Sequence, residues 1–310
     1  MRVDRDAGVE AIRPGREDGP VTDETPNPDA GTGIDTTVPH SARVWNYWLG
    51  GKDNYAVDRE TGDAVIAVYP QIKVNARESR GFLQRVVRYL AGEAGIRQFL
   101  DIGTGLPTAN NTHEVAQRIA PDARVVYADN DPLVLAHARA LLVGTPEGMT
   151  KYLHADIRDV EGLMRGAVEI LDFTEPVAVL MLGVLGHVHD TDEARSLVRQ
   201  ILARVPSGSY VAICDAILTE ERRKAEATYA DTDGVHYHAR DPADIASFFD
   251  GMEWVEPGFA SVSVWRADTP TYDPMGNVRP FTPPSPVDQY GGVARKPERA
   301  VRPEPGTARR

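Results

Sequence analysis

Three aspartates stand at regular stations along the chain: Asp101 beside the pair Gly103 and Gly105 in FLDIGTGLP, Asp129 in VVYADNDP, and Asp156 in LHADIRD. Glycines in such a loop let the backbone turn tightly and approach a ligand closely. The carboxylates then restrict what that ligand can be. A dinucleotide carries a pyrophosphate, for which its fold normally provides a third glycine and free amide donors at a helix start. Here Thr108 occupies the third-glycine position, Pro107 removes a donor, and Asp101 would repel phosphate. S-adenosylmethionine has no phosphate; it has a cationic amino group, a sulfonium, a ribose diol and an adenine. Asp101 suits the amino acid end, Asp129 the two ribose hydroxyls, and Asp156 the adenine amine. S-adenosylmethionine is therefore the expected cofactor, with NAD as the disfavoured alternative.

A second set of reactive side chains follows the apolar run 177–186. His187 and His189 in LGHVHD are candidates for a base that removes a proton from a methyl acceptor. His236, Tyr237 and His238 lie in a polar insertion that reads as a lid over the acceptor. Neither His-x-His sequence has a carboxylate at a diagnostic spacing, so no metal is expected.

These groups need a scaffold that brings them to one edge. Val74, Phe82, Leu83, Val86, Val87 and Leu90 share a helical face, ahead of an apolar entry into a first strand at Phe99 and Leu100. Asn111 with Glu114 three residues later resembles a helix cap, and residues 124–128 read as the second strand. Asp131 and Pro132 open a helix running to Leu142; a third strand ends near His154; residues 177–182 are apolar throughout, as a parallel strand covered on both faces requires. Asp190 and Glu193 cap the next helix, residues 210–214 form a fifth strand, Asp241 and Pro242 start another helix, and residues 259–265 supply an alternating final segment. Strand and helix alternate as in a doubly wound α/β domain.

Composition sets outer limits. With 310 residues and 42% apolar content the chain can bury a substantial core. No apolar run approaches the roughly 20 residues of a membrane span, no signal peptide is read, and Cys214 is the single cysteine, so a cytoplasmic location is expected. The net charge of −12 disfavours nucleic acid as a partner. Four segments follow: a disordered acidic tail at 1–39, an N-terminal helical cap at 40–95, the core at 96–268, and a proline-rich, basic-ended tail at 269–310.

HSARVWNYWLGGKDNYAVDRE, SRGFLQRVVRYLAGEAGIRQFLDIGTGLPTANNTHEVAQ and VVYADNDPLVLAHARALL together resemble an actinobacterial family of S-adenosylmethionine-dependent methyltransferases, formerly catalogued as a domain of unknown function. The likeness runs from about His40 to Asp268. It implies a class I methyltransferase, Rossmann-like fold whose sheet has seven strands with the last antiparallel. By position it implies a first cofactor loop at Asp101, Gly103 and Gly105, a ribose site at Asp129 and Asn130, and an adenine contact at Asp156 and Ile157; Thr104 in that loop and Gly183 after the fourth strand are further expected cofactor contacts. The chain departs from the family pattern at residues 185–190, on the acceptor side.

In class I methyltransferases, which the chain resembles, segments before the first strand commonly fold back over the cofactor pocket. Residues 43–55 are accordingly expected to form a short helix ending at Gly50, with Gly51 turning the chain and Trp45, Tyr47, Trp48 and Tyr55 covering the site. Lys52 or Arg80 would pair with the methionyl carboxylate. Methyltransferases of base amines and glutamine amides commonly carry a polar residue, two prolines and an aromatic after strand four; this chain has LGVL at 182–185. A small-molecule acceptor, methylated at oxygen, is the expected substrate. An inactive S-adenosylmethionine-binding sensor is the second reading and an NAD-dependent dehydrogenase the third.

Overall fold

The computed structural model describes residues 35–134, 144–230, 236–267, 275, 277–278 and 285–298. The predicted N-terminal tail up to residue 34, the basic end beyond residue 298 and most of the helix expected up to Leu142 lie outside the described residues.

Five parallel strands form the centre: β1 (Gln98–Ile102), β2 (Arg124–Asp129), β3 (Met149–His154), β4 (Ala178–Leu182) and β5 (Tyr210–Ala216). β6 (Glu253–Trp254), β7 (Ala260–Ser261) and β8 (Gln289–Arg295) complete the sheet. The order is β3-β2-β1-β4-β5-β8-β6, with the two-residue β7 also on β8. β8 runs antiparallel to β5 over its whole length, from Tyr210 opposite Arg295 to Ala216 opposite Gln289. Leaving aside the two-residue β7, the other seven of the eight strands follow the expected class I methyltransferase order, with β8 the one strand running against the rest.

Successive side chains point to opposite faces, so each central strand feeds two cores. Leu100, Ile102, Val126, Val179 and Ile213 pack with α5 (Val160–Ala167), α6 (Thr191–Ala203) and α8 (Pro242–Ser247). Phe99, Val125, Tyr127, Leu180 and Ala212 pack on the other face, against α3 (Ile72–Arg88) and α4 (Thr112–Ile119). Cys214 is buried in that second core and packs as a small apolar side chain. The Asp190 carboxylate caps α6, accepting from the Glu193 amide at 2.8 Å.

The sheet corrects one expectation. The alternating segment 259–265 yields only the two-residue β7, because the chain turns after Ser261, whose carbonyl accepts from the Val264 and Trp265 amides at 3.0 and 3.2 Å. The turn buries Trp265 completely, edge-on to Phe82 at 5.4 Å. Arg85 holds the turn by donating from Nε to the Trp265 carbonyl at 2.7 Å. The antiparallel strand comes instead from residues 289–295, past the proline-rich stretch and beyond the core limit expected at Asp268. Its short QYGGVAR run carries only two strong β-formers among small and polar residues, so neighbouring strands, rather than its own pattern, define it.

Three helices precede the sheet: α1 (Ser41–Trp48), α2 (Ala56–Val68) and α3. Asp58 on α2 is fully buried and accepts the His40 and Tyr55 amides at 2.9 and 2.8 Å. The Arg43 guanidinium lies 3.5 Å from it and donates to the Asp35 and Val38 carbonyls at 3.0 and 2.7 Å, so residues 35–38 are anchored on α1. α1 ends as expected: Gly50 adopts φ +83°, its amide bonds the Tyr47 carbonyl, and the Gly51 amide returns to the Asn46 carbonyl. Gly51 itself needs no left-handed backbone. A β-carbon there would meet the Asn46 side chain at 2.4 Å, and Asn46 is occupied in holding the Asp53 amide at 3.1 Å and Asn54 at 2.9 Å.

Candidate active site

In an open α/β sheet, ligands bind at the carboxyl edge where the strand order reverses, here between β1 and β4. A cavity lies at that edge, roofed by α1 to α3 and by α7 (Glu220–Ala230). Eleven of the sequence-predicted site residues line it: Arg80, Asp101, Gly103, Thr104, Gly105, Asp129, Asn130, Asp156, Ile157, Gly183 and His187.

The β1 end holds the densest electrostatics. Asp101 is 3% exposed and accepts from the Thr112 hydroxyl at 2.6 Å. Burial pushes its carboxyl up to about 6, against the opposing pull of Thr112 and the Arg80 charge. Arg80 projects from α3 and donates to Thr108 Oγ1 and, at 3.3 Å, to Asn111 Oδ1. The Asn111 side chain is thus turned toward the loop, accepting the Thr108 amide at 3.0 Å, and does not cap α4. Glu114 instead accepts from the Asn110 amide at 2.7 Å and from Asn111 Nδ2 at 3.1 Å. The helix N-terminus therefore lies seven residues beyond Gly105, with Pro107 between, which is no pyrophosphate cradle. Gly103 has φ +69°, and a β-carbon on it would lie 2.4 Å from the Val184 side chain, so conformation and space both require glycine.

At the β2 end, Asp129 accepts the Gly105 amide at 2.8 Å through one oxygen and the Asp131 amide at 3.0 Å through the other. Each oxygen keeps a lone pair for a ligand hydroxyl, and burial raises its pKa. After β3, Asp156 accepts from Asn130 Nδ2 at 3.3 Å and from the Arg158 amide at 2.8 Å. Three carboxylates thus stand at the carboxyl ends of three adjacent strands, β3, β2 and β1.

The acceptor end lies over β4 and β5. A carbonyl can only accept, so the 3.0 Å contact between His187 Nδ1 and the His236 carbonyl places the proton on Nδ1 and leaves Nε2 an acceptor. Burial pushes His187 down to about 4, so the ring is neutral at pH 7. Tyr237 packs edge-on to His187 at 5.1 Å and also lines the cavity. Its hydroxyl donates to Asp215 Oδ1 and is no candidate base, because burial and that carboxylate raise its pKa far above the usual range. Asp215 is fully buried, with Arg240 donating to its other oxygen at 3.3 Å.

The structure does not bring Tyr47, Lys52 or His189 to this cavity. Helical periodicity turns Trp45, Trp48 and Leu49 inward and Tyr47 outward, where its hydroxyl bonds Asp63 at 2.6 Å. Lys52 is exposed past the end of α1. His189 is exposed and stacks on His238 at 4.7 Å. Tyr55 packs with Leu106, Leu133 and Val134, outside the cavity lining. Sequence reasoning missed Ser79, Arg158, Arg222 and Glu226, all cavity-lining. Arg222 and Glu226 sit in EERRKAE, whose charge reads as a solvated helix face and carries no apolar period to betray burial.

A sequence profile of the S-adenosyl methyltransferase family matches residues 27–297. A DUF574 family protein from Streptomyces avermitilis is 41% identical with a TM-score of 0.77, the match covering 85% of this chain and 100% of that one. A candidate methyltransferase from Thermobifida fusca is 36% identical with a TM-score of 0.75, over 88% of this chain and 100% of that one. No protein of curated function matches.

Proposed function

The chain belongs to the S-adenosyl methyltransferase family, and from that premise we propose that it methylates an oxygen of a small molecule held between the cap and the ends of β4 and β5. S-adenosylmethionine is the cofactor, and when bound it supplies a methyl group already activated by sulfonium charge. The side chains fit it. Ser79 Oγ is buried without a hydrogen-bond partner and lines the cavity one residue from Arg80, so the two suit a carboxylate, while Asp101 suits the neighbouring ammonium. Asp129 has acceptors free for the ribose diol, and Trp45 and Trp48 present aromatic surface that favours a cation.

At the acceptor end, His187 Nε2 orients a hydroxyl for in-line attack. With a pKa of about 4 it is a weak base, and it takes the proton late, once bond formation to carbon has made the oxygen strongly acidic. Tyr237 excludes water from that side.

The observation that carries this reading is one continuous cavity, with three carboxylates along one stretch and His187 with Tyr237 at the other. Protein incubated with methyl-labelled S-adenosylmethionine and size-fractionated cell extract is expected to label the small-molecule fraction. Label in the protein or nucleic acid fraction would refute the small-molecule acceptor. Tight S-adenosylhomocysteine binding with no label in any fraction would favour the non-catalytic sensor.

A further inference from the structure

Arg222 lines the cavity, yet the methyl-transfer site described above gives its charge no task. It projects from α7, is 6% exposed, and its Nε is buried with no hydrogen-bond partner. The rings of Tyr69 and Tyr237 lie against the guanidinium at 5.2 and 5.8 Å. Among the described residues no carboxylate forms an ion pair with it. Asp288 accepts from the Tyr69 hydroxyl at 2.7 Å, and Asp215 is engaged by Tyr237 and Arg240. Glu226, one helical turn along, is turned to the Ala239 amide. A buried guanidinium with an open donor is costly unless something accepts from it.

Its place in the sheet says what that something is. The strands run β2-β1-β4-β5 across the site, so at about 4.8 Å per strand the end of β5 lies roughly 14 Å from that of β2. The ammonium, carboxylate and ribose of the cofactor find their partners at β1 and β2, where Asp101, Arg80, Ser79 and Asp129 stand. Arg222 contacts Tyr237, which packs on His187, and so belongs to the acceptor side.

We propose that Arg222 receives a carboxylate carried by the methyl acceptor, which makes the substrate a small organic acid with an apolar body. This rests on the methyltransferase reading of the same cavity. A guanidinium fork matches a planar carboxylate in a bidentate pair. One cation with Glu226, Asp215 and Asp288 nearby suits a monoanion and disfavours a doubly charged phosphate. Trp45, Val65 and Ile72, from the cap, supply the apolar wall.

The test uses the full chain saturated with S-adenosylhomocysteine and titrated calorimetrically with acetate, benzoate, cinnamate and indole-3-acetate, each beside its primary amide. At least one acid is expected to bind tenfold or more tightly than its amide. Arg222→Gln is expected to abolish that preference with S-adenosylhomocysteine affinity within twofold, and Arg222→Lys to keep part of it. No preference for any acid, or a preference that survives Arg222→Gln, overturns the proposal. A tenfold loss of S-adenosylhomocysteine affinity in Arg222→Gln also overturns it, since the arginine would then serve the cofactor. If Arg222→Gln does not fold, the wild-type panel and Arg222→Lys decide. Wild-type protein that fails to bind S-adenosylhomocysteine at all would sink the underlying site reading instead.

Discussion

Replacing Asp101 with asparagine should stabilise the free protein and cripple the cofactor site. The carboxyl is 3% exposed, and its pKa is raised from 3.8 to about 6, a net effect that already contains the opposing pull of Thr112 and Arg80. A raised folded pKa means that this group's contribution to stability is complete below 3.8 and is lost as the pH rises through about 6. About two pKa units at 1.36 kcal/mol each make the ionised carboxylate cost the fold on the order of 3 kcal/mol at pH 7.5. Asparagine mimics the protonated acid and can still accept from Thr112, so Asp101→Asn should gain about 1–3 kcal/mol at pH 7.5 in urea unfolding. The gain should shrink toward zero near pH 4. Removing the charged acceptor should weaken S-adenosylhomocysteine by about 1.5–3 kcal/mol, or roughly 10- to 150-fold in calorimetry. A variant less stable than wild type at pH 7.5, a gain that ignores pH, or an unchanged affinity would each refute the reasoning.

Three further outcomes follow from the same geometry. Gly103→Ala combines a left-handed backbone with a clash against Val184 and should cost about 2–4 kcal/mol in urea unfolding; a loss below about 1 kcal/mol would mean the loop relaxes freely. Trp48→Ala should weaken S-adenosylhomocysteine several-fold, whereas Tyr47→Phe should leave it unchanged, because that hydroxyl bonds Asp63 away from the cavity; equal effects of the two would contradict the helix orientation. His187 has its folded pKa lowered to about 4, so its stabilising contribution is present above 6.5 and lost as pH falls through about 4. Once an acceptor is identified, His187→Gln should lower kcat at least tenfold, and the wild-type profile of kcat/KM should show no inflection near 6.5; such an inflection would assign His187 an ordinary solvated environment.

The sequence carried much of the cofactor side because its chemistry is local. Asp101 lies one residue before the end of β1, Asp129 at the end of β2 and Asp156 two residues past β3, so each is placed by its own strand. The acceptor side depends on contacts distant in sequence: Arg240 reaches the Leu185 carbonyl at 3.0 Å and Tyr69 reaches Asp288 across 219 positions, pairings that no local pattern announces. The aromatic segment at residues 43–55 is legible as a cap and not as a set of roles. Its helix end could be read from Gly50, but which ring faces inward depends on the rotation of α1 against α2, fixed by the buried Arg43 and Asp58 pair. β8 escaped notice because Gly291 and Gly292 interrupt its apolar pattern.

The position of β8 gives the molecule an order of assembly. It lies between β5 and β6 in the sheet yet follows both in the chain, so a growing polypeptide holds an open seam until residues 289–295 emerge. Pairings of such long sequence separation form late, since the loop entropy is lost before the contact is made. Asp288, immediately before that strand, grips the hydroxyl of Tyr69 at the junction of α2 and α3. That bond ties the closing strand to the cap, so the last strand of the sheet and the roof of the ligand cavity share a direct contact.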